Sequence, residues 1–198
     1  MTSPDTTPEL LDGREVLVGV SGGIASYKTA ILVSRLVQDG AGVTVVMTES
    51  ATRFVGAATF EALTGRGVVT GLFGDPRFPL GAHIQLSERA DLLVVAPATA
   101  NFLAKAAGGL ADDALSTLFL AFSGPSIFAP AMNAAMWDKA AVQRNVAQLV
   151  DDDVTLVGPG QGWLSCRTQG MGRMAEAMEI HDAVHCQLAT AQPPHTTG

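Results

Sequence analysis

The sequence is sparing with cysteine, aromatic residues, charge and long apolar runs, and each shortage removes a class of protein. Two cysteines, Cys166 and Cys186, among 198 residues make no disulfide framework. Lys and Arg number 12 against 19 Asp and Glu, a net charge of −7, which leaves no basic stripe for nucleic acid or an anionic membrane. Apolar runs are interrupted by Pro, Gly or Asn well short of the roughly 20 residues of a spanning helix. No basic start followed by an apolar core opens the sequence, so a reducing cytoplasm is the expected location. What is present is 47% hydrophobic and only 16% charged, the composition of one globular domain whose ligand is small.

The chain is organised around EVLVGVSGGIASYK, Glu15 to Lys28. Val16, Leu17, Val18 and Val20 predict a strand buried on both faces of a parallel sheet. Ser21, Gly22 and Gly23 then form a turn, and Ser26 is placed to cap a helix with Ala30, Ile31, Val33, Leu36 and Val37 on its apolar face. Two glycines and a helix N-terminus make this turn a candidate anion cradle. It is not a P-loop, because Tyr27 precedes Lys28-Thr29. It lacks the Gly-x-Gly-x-x-Gly spacing of a dinucleotide loop, since Gly19, Ser21 and Ile24 occupy those places, although Glu49 lies where a ribose-binding acid would. A single mononucleotide or flavin phosphate, or a plain strand-to-helix turn, remains.

The other expected strands are Val43 to Met47, Leu92 to Ala96, Ser126 to Ala129 and Val154 to Val157. Each of the first three ends in residues suited to a ligand or to a helix cap: Thr48 and Ser50; Thr99 and Asn101; and Asn133, with Met136 and Trp137 after it. His83, in GAHIQLSERAD, is either a structural histidine or a proton carrier. The five glycines between Gly158 and Gly172 predict an irregular flap that carries Trp163 and Cys166, with Arg173 just beyond. In the final helix Ile180, Ala183, Val184 and Leu188 form the apolar stripe, and His181 and His185 stand beside it. Without a third ligand these two read as a solvated face rather than a metal pair. The expected organisation is a loose arm over residues 1–14, one domain over 15–189 with the flap at about 158–174, and a disordered tail over 190–198.

Taken together, SGGIASYK, VVMTESATRFV, GAHIQLSERAD, VVAPATAN, GGLADD, APAMNAAMW and CRTQGMGRM resemble, in content and order, the flavin-dependent cysteine decarboxylases, in particular the phosphopantothenoylcysteine decarboxylases of coenzyme A biosynthesis. The resemblance runs from about Val16 to Met178. It implies an α/β Rossmann-like (flavodoxin-like) three-layer fold with a central parallel sheet. It also implies bound FMN, no metal, and a homotrimer or homododecamer with the flavin at a subunit interface. His83 is implied as the active-site base, Asn133 as the grip on the substrate carboxylate and Cys166 as the donor of the last proton. Ser21, Gly22, Gly23, Thr48, Ser50 and Thr99 are implied as cofactor contacts, and Met136 and Arg173 as substrate contacts beside Asn133. The flap departs from the usual Gly-x-Leu-Ala-Cys-Gly by placing Arg167 after the cysteine and Trp163 before the leucine. A cysteine ligase often follows in bacterial members, and the sequence resembles a stand-alone form.

The chemistry implied is decarboxylation through oxidation at the carbon bearing sulfur: a thioaldehyde accepts the electrons left by carbon dioxide, and the resulting enethiolate is then reduced. Three related functions compete. A flavin prenyltransferase would need neither APAMN nor a flap cysteine. A peptidyl-cysteine decarboxylase would have APAMN-like features without the reductive cysteine. A non-catalytic flavin-binding regulatory subunit would be expected to lose His83, Asn133 or Cys166.

Overall fold

The computed structural model describes residues 11–165 and 167–190. Four strands, β1 (Glu15–Val20), β2 (Gly42–Met47), β3 (Leu92–Ala98) and β4 (Ser126–Pro130), and a two-residue β5 (Thr155–Leu156) form one parallel sheet in the order β2-β1-β3-β4-β5. Strand residues alternate between two faces, and both faces are apolar. Val16, Val18 and Val20 enter one core with Leu92, Val94 and Ile127, whereas Leu17, Leu93, Val95 and Phe128 enter the other. Burial on both sides favours the β-branched and leucine runs seen in these segments.

The first face is covered by α1 (Ser26–Gln38) and α8 (Ala177–Thr190), with Phe60 of α2 (Ala57–Thr64). The second is covered by α3 (Ala82–Ser87), α4 (Ala100–Ala107), α5 (Ala114–Ala121) and α7 (Ala140–Asp151). Asp113 caps α5, accepting from the Ser116 N–H at 2.9 Å while the Ser116 hydroxyl accepts from the Asp113 N–H at 3.2 Å. The edge strand β2 is covered by a short parallel bridge, in which Met47 N–H donates to Val69 O (2.8 Å) and Val69 N–H to Val45 O (3.0 Å). Such cover blunts an edge that could otherwise pair with another chain.

Several local expectations change. The buried stripe of α1 is Thr29, Leu32, Val33 and Leu36, and Ile31 is 52% exposed. Ser26 does not cap α1 but lies inside its first turn, where its buried hydroxyl donates to Gly23 O at 2.6 Å. Strand β3 continues through Pro97 to Ala98 rather than stopping at Ala96. The glycine-rich flap is an antiparallel hairpin, β6 (Gly160–Trp163) with β7 (Gln169–Arg173), whose register shifts between Gly160 and Gln161. In its tip Arg167 adopts a left-handed φ of 65°, the conformation that glycine occupies without a Cβ penalty. Cys166 lies outside the described residues.

Of residues 11–14, assigned from sequence to the arm, Leu11 and Arg14 are held against the domain. Leu11 is buried and its N–H donates to Asp39 O (2.9 Å), while Arg14 pairs with Asp91 at 3.2 Å. His181 and His185 are not a solvated face either: both ring Nε2 atoms meet the Asp39 carboxylate at the end of α1. Burial works against the Asp39 charge, but hydrogen bonds from His185 and His181 and the charge they can carry hold its carboxyl below the usual range.

The second core is centred on Phe128, whose ring meets Phe102 and Phe119 at centroid separations of 5.2 and 5.1 Å. Phe128→Ala removes a fully buried ring shared by β4, α4 and α5. A loss of about 3–5 kcal/mol is expected, read as a lower urea midpoint with an unchanged m-value.

Candidate active site

In a sheet ordered 2-1-3-4-5 the connections from β1 and β3 leave in opposite directions, and the crevice between their carboxyl ends is the usual ligand position. Ser21 closes the bottom of that crevice. Its buried hydroxyl donates to Pro97 O at 2.7 Å, lies 3.0 Å from Thr99 Oγ1 and accepts from the Thr99 N–H at 3.0 Å. Ser21 therefore ties the β1 loop to the β3 loop with its own polar atoms. Gly22 approaches the end of β2 so closely that a Cβ there would lie 2.3 Å from Ser50 Oγ and 2.9 Å from the Ser50 carbonyl carbon. Only glycine permits that contact.

Hydroxyls surround this turn. Thr48 Oγ1 and Ser50 Oγ are 3.1 Å apart, and Thr48 Oγ1 accepts from the Ala51 N–H at 3.3 Å. Ser50 makes no side-chain cap bond to the 3-10 turn Ala51–Arg53. Thr99 caps α4, accepting from the Phe102 N–H at 3.4 Å. At the head of α1 the N-cap residue is Ala25, which offers no side-chain oxygen to the first turn. An uncapped helix start beside a tight glycine turn and three hydroxyls is suited to an anion.

The crevice opens into a cavity of about 960 Å³ that runs from this turn to the segment after β4 and to the hairpin. Ser21, Gly22, Gly23, Thr48, Ser50 and Thr99 line it, and so do Asn133, Met136 and Arg173. His83 does not. It lies on α3, across the sheet from α1, and its Nδ1 is buried with no hydrogen-bond partner. Lys28, Lys105 and Trp163 also line the cavity. Sequence reasoning passed over the two lysines because the side chains that hold them are remote in sequence or belong to the next helix's cap.

Asn133 is the N-cap of α6 (Ala134–Trp137), and its Oδ1 accepts from the Met136 N–H at 2.8 Å. That bond fixes the amide so that Nδ2, which the cap does not use, is the group left for a ligand. The hairpin docks directly on this segment: Met132 N–H donates to Gly172 O at 2.9 Å. Gly172 has φ 123°, and a Cβ on it would lie 2.3 Å from Met132 O. A side chain at 172 would lever the hairpin off the Asn133 segment.

The cations of the cavity are compensated. Lys105 lies 2.6 Å from Asp112 and 2.7 Å from Asp113. Burial disfavours its charge, but hydrogen bonds to the two aspartates raise its pKa overall. Glu176 Oε1 accepts from Lys28 Nζ at 2.9 Å and from Arg173 Nη2 at 2.6 Å, joining α1 to the end of the hairpin. The Lys28 hydrogen bond is the main reason that the Glu176 carboxyl is held below its usual range.

A parallel sheet with a tight glycine turn at its switch point and a polar cavity above it is the architecture of a mononucleotide-binding α/β protein. The chain belongs to the flavoprotein family, whose model, described as Flavoprotein, matches residues 4–189. It is 47% identical over 171 residues to the coenzyme A biosynthesis bifunctional protein CoaBC of Bacillus subtilis, covering 86% of this chain and 42% of that protein. To CoaBC of Mycobacterium tuberculosis it is 46% identical over 186 residues, covering 89% and 44%. The chain thus spans less than half the length of these curated relatives. Among solved structures it is similar to the FMN-dependent cysteine decarboxylase SpaF, with 37% identity, TM-score 0.75, and coverage of 91% of this chain and 97% of SpaF. It is also similar to a PPC decarboxylase, with a cysteine replaced by serine, complexed with pantothenoylaminoethenethiol. Identity there is 30% and the TM-score 0.79, over 89% of this chain and 99% of that one.

Because the folded pKa of Glu176 is depressed, the contribution of its ion pairs is complete above the ordinary glutamate range and is lost as pH falls through the folded value. Hydrogen exchange of the Met132 amide is therefore expected to speed up on acidification, relative to the core strands. Glu176→Gln should show that faster exchange already at neutral pH and lose most of the acid dependence.

Proposed function

We propose that this chain decarboxylates phosphopantothenoylcysteine to phosphopantetheine, with FMN as cofactor, as a step of coenzyme A biosynthesis. The observation that carries the proposal is one cavity holding both the Gly22 turn and Asn133. The curated relatives are named for coenzyme A biosynthesis, and the solved neighbours for PPC decarboxylase and FMN-dependent cysteine decarboxylase.

The residues fit FMN. The cradle that a Cβ at Gly22 would fill suits one phosphate, held by the turn's backbone and by the Thr48 and Ser50 hydroxyls, with Gly23 and Thr99 beside it. Bound there, FMN would supply the reversible two-electron oxidation that makes the substrate's sulfur-bearing carbon an electron sink for loss of carbon dioxide. Asn133 would donate from Nδ2 to the substrate carboxylate. A neutral amide orients that anion without stabilising it so strongly that its loss is slowed. Met136 would pack beside it, and the Arg173 guanidinium would meet the substrate phosphate. His83 would act as the base, and the Cys166 thiol would give its proton to the carbon of the enethiolate.

His83 lies outside the cavity of its own chain, so it would enter the cavity of a neighbouring copy. Ile24, Tyr27 and Ile31, all more than half exposed on one side of the α1 region, would form part of the contact in a homotrimer or a homododecamer. The protein would work in the reducing cytoplasm, where a catalytic thiol persists. Among the described residues no helix is long and apolar enough to cross a membrane. A second reading, FMN-dependent decarboxylation of a different cysteine-containing substrate, is supported by the 37% identity to the FMN-dependent cysteine decarboxylase SpaF.

The purified protein is expected to release FMN on heating and to convert phosphopantothenoylcysteine to the saturated thiol. Recovery of FAD, or no turnover of this substrate alongside turnover of a cysteine-ended peptide, would sink the first reading in favour of another. With Cys166→Ser the product should be the aminoenethiol, two hydrogens lighter than the normal thiol; saturated product at the wild-type rate would remove Cys166 from the mechanism.

Asn133→Asp keeps an oxygen for the Met136 N–H, so α6 should stay capped and FMN bound. The new carboxylate would face the substrate's own, a penalty of about 3 kcal/mol or more, so kcat/KM should fall at least about a hundredfold. Near-normal turnover by this variant would show that Asn133 does not hold the carboxylate.

A further inference from the structure

Far from the cavity, the last turn of α1 and the middle of α8 bring three potential metal ligands to one point. Asp39 is the C-cap of α1, and His181 and His185 are one helical turn apart on α8. Asp39 Oδ2 lies 2.6 Å from His181 Nε2 and 2.7 Å from His185 Nε2, and the two Nε2 atoms are 3.2 Å apart. All three side chains are partly buried, with 23%, 12% and 23% exposure for Asp39, His181 and His185.

We propose that Asp39, His181 and His185 form a binding site for a divalent transition-metal cation of the zinc class, which staples α8 to the end of α1. Two imidazoles at i and i+4 on a helix present ligands on one face, as zinc helices do. Tetrahedral zinc with bonds of about 2.0–2.1 Å separates its ligand atoms by about 3.3 Å. The His181 and His185 nitrogens already stand at that spacing. Asp39 would withdraw by about 0.7 Å from its present hydrogen-bonding distance to admit the ion, a shift within reach of a small rotation of its partly exposed side chain. Water would fill the fourth position from the exposed side.

Binding through Nε2 requires each imidazole to carry its proton on Nδ1, where a carboxylate or carbonyl commonly accepts it. His181 Nδ1 is buried with no hydrogen-bond partner, and the Asp182 carboxylate is 3.6 Å away, one small movement from that role. Two nitrogen donors and one carboxylate oxygen favour zinc, cobalt or nickel over magnesium and calcium, which prefer all-oxygen shells. The cation adds no chemistry at the cavity. It cross-links two helices that cover the same face of the sheet.

The test is isothermal titration of the full-length, cofactor-loaded protein with zinc chloride after chelator treatment, alongside thermal melts with zinc or magnesium. One zinc ion per chain is expected at a Kd of about 10 µM or tighter. Tm should rise by about 5–10 °C once free zinc exceeds Kd about a hundredfold, with no rise in magnesium. His185→Ala and Asp39→Asn should each weaken zinc binding at least tenfold while retaining the cofactor, and Cys186→Ser, which changes the neighbouring thiol, should leave it intact. Absence of zinc binding to the wild-type protein at 100 µM overturns the proposal. So does binding that survives in both His185→Ala and Asp39→Asn, or that disappears in Cys186→Ser alone.

Discussion

A single serine hydroxyl, that of Ser21, sets the floor on which the site is built. At the carboxyl edge of a parallel sheet the strands no longer bond one another, and the loops that leave them would be free to diverge. Ser21 spans β1 and β3 by donating to Pro97 O and accepting from the Thr99 N–H, so both loops leave the sheet in fixed relation. Its hydroxyl is thereby buried and engaged by both loops, beside the cavity that Gly22, Ser50 and Thr99 also line. Gly22 can then press against Ser50, and Thr99 can both cap α4 and face the cavity.

The upper wall depends on a second close approach. Met132 and Gly172 share a backbone hydrogen bond at a separation that no side chain at 172 would allow. Through it the hairpin is joined to the Asn133 cap segment, and Glu176 ties the end of the hairpin to Lys28 on α1. Capping, hairpin docking and ion pairing thus converge on one amide, whose oxygen is spent on α6 and whose nitrogen the cap does not use. The paired cations, Lys28, Lys105 and Arg173, keep a cavity in an acidic protein from carrying uncompensated charge.

The parallel strands, the glycine turn after β1, the asparagine after β4 and the family resemblance were legible in the sequence, because each is written in a short contiguous stretch. β-branched runs bury on two faces, glycine pairs turn, and strand ends in such sheets face ligands, whatever the rest of the chain does. Arg167 was visible as a departure from glycine, but its left-handed backbone was not, because φ is set by the hairpin that closes around it. Likewise Ile31 fits the helical period of α1 as well as Leu32 does, and only the position of the sheet decides which of them is buried.

Contacts between remote residues were decided by tertiary structure alone. Asp39 and His181 are 142 positions apart, so the pattern of α8 could name two imidazoles but not the carboxylate between them. Ser21 and Pro97 are 76 apart, and the sequence could not distinguish a ligand-binding hydroxyl from one that braces two loops. His83 carries the same lesson, since its place relative to Asn133 depends on which face of the sheet α3 covers. The sequence by itself determined the elements and the chemical types at their ends, because propensity, periodicity and turn geometry are local. Packing decided which of those groups meet, because a hydrogen bond or ion pair depends on distance in space, and separation along the chain does not determine that distance.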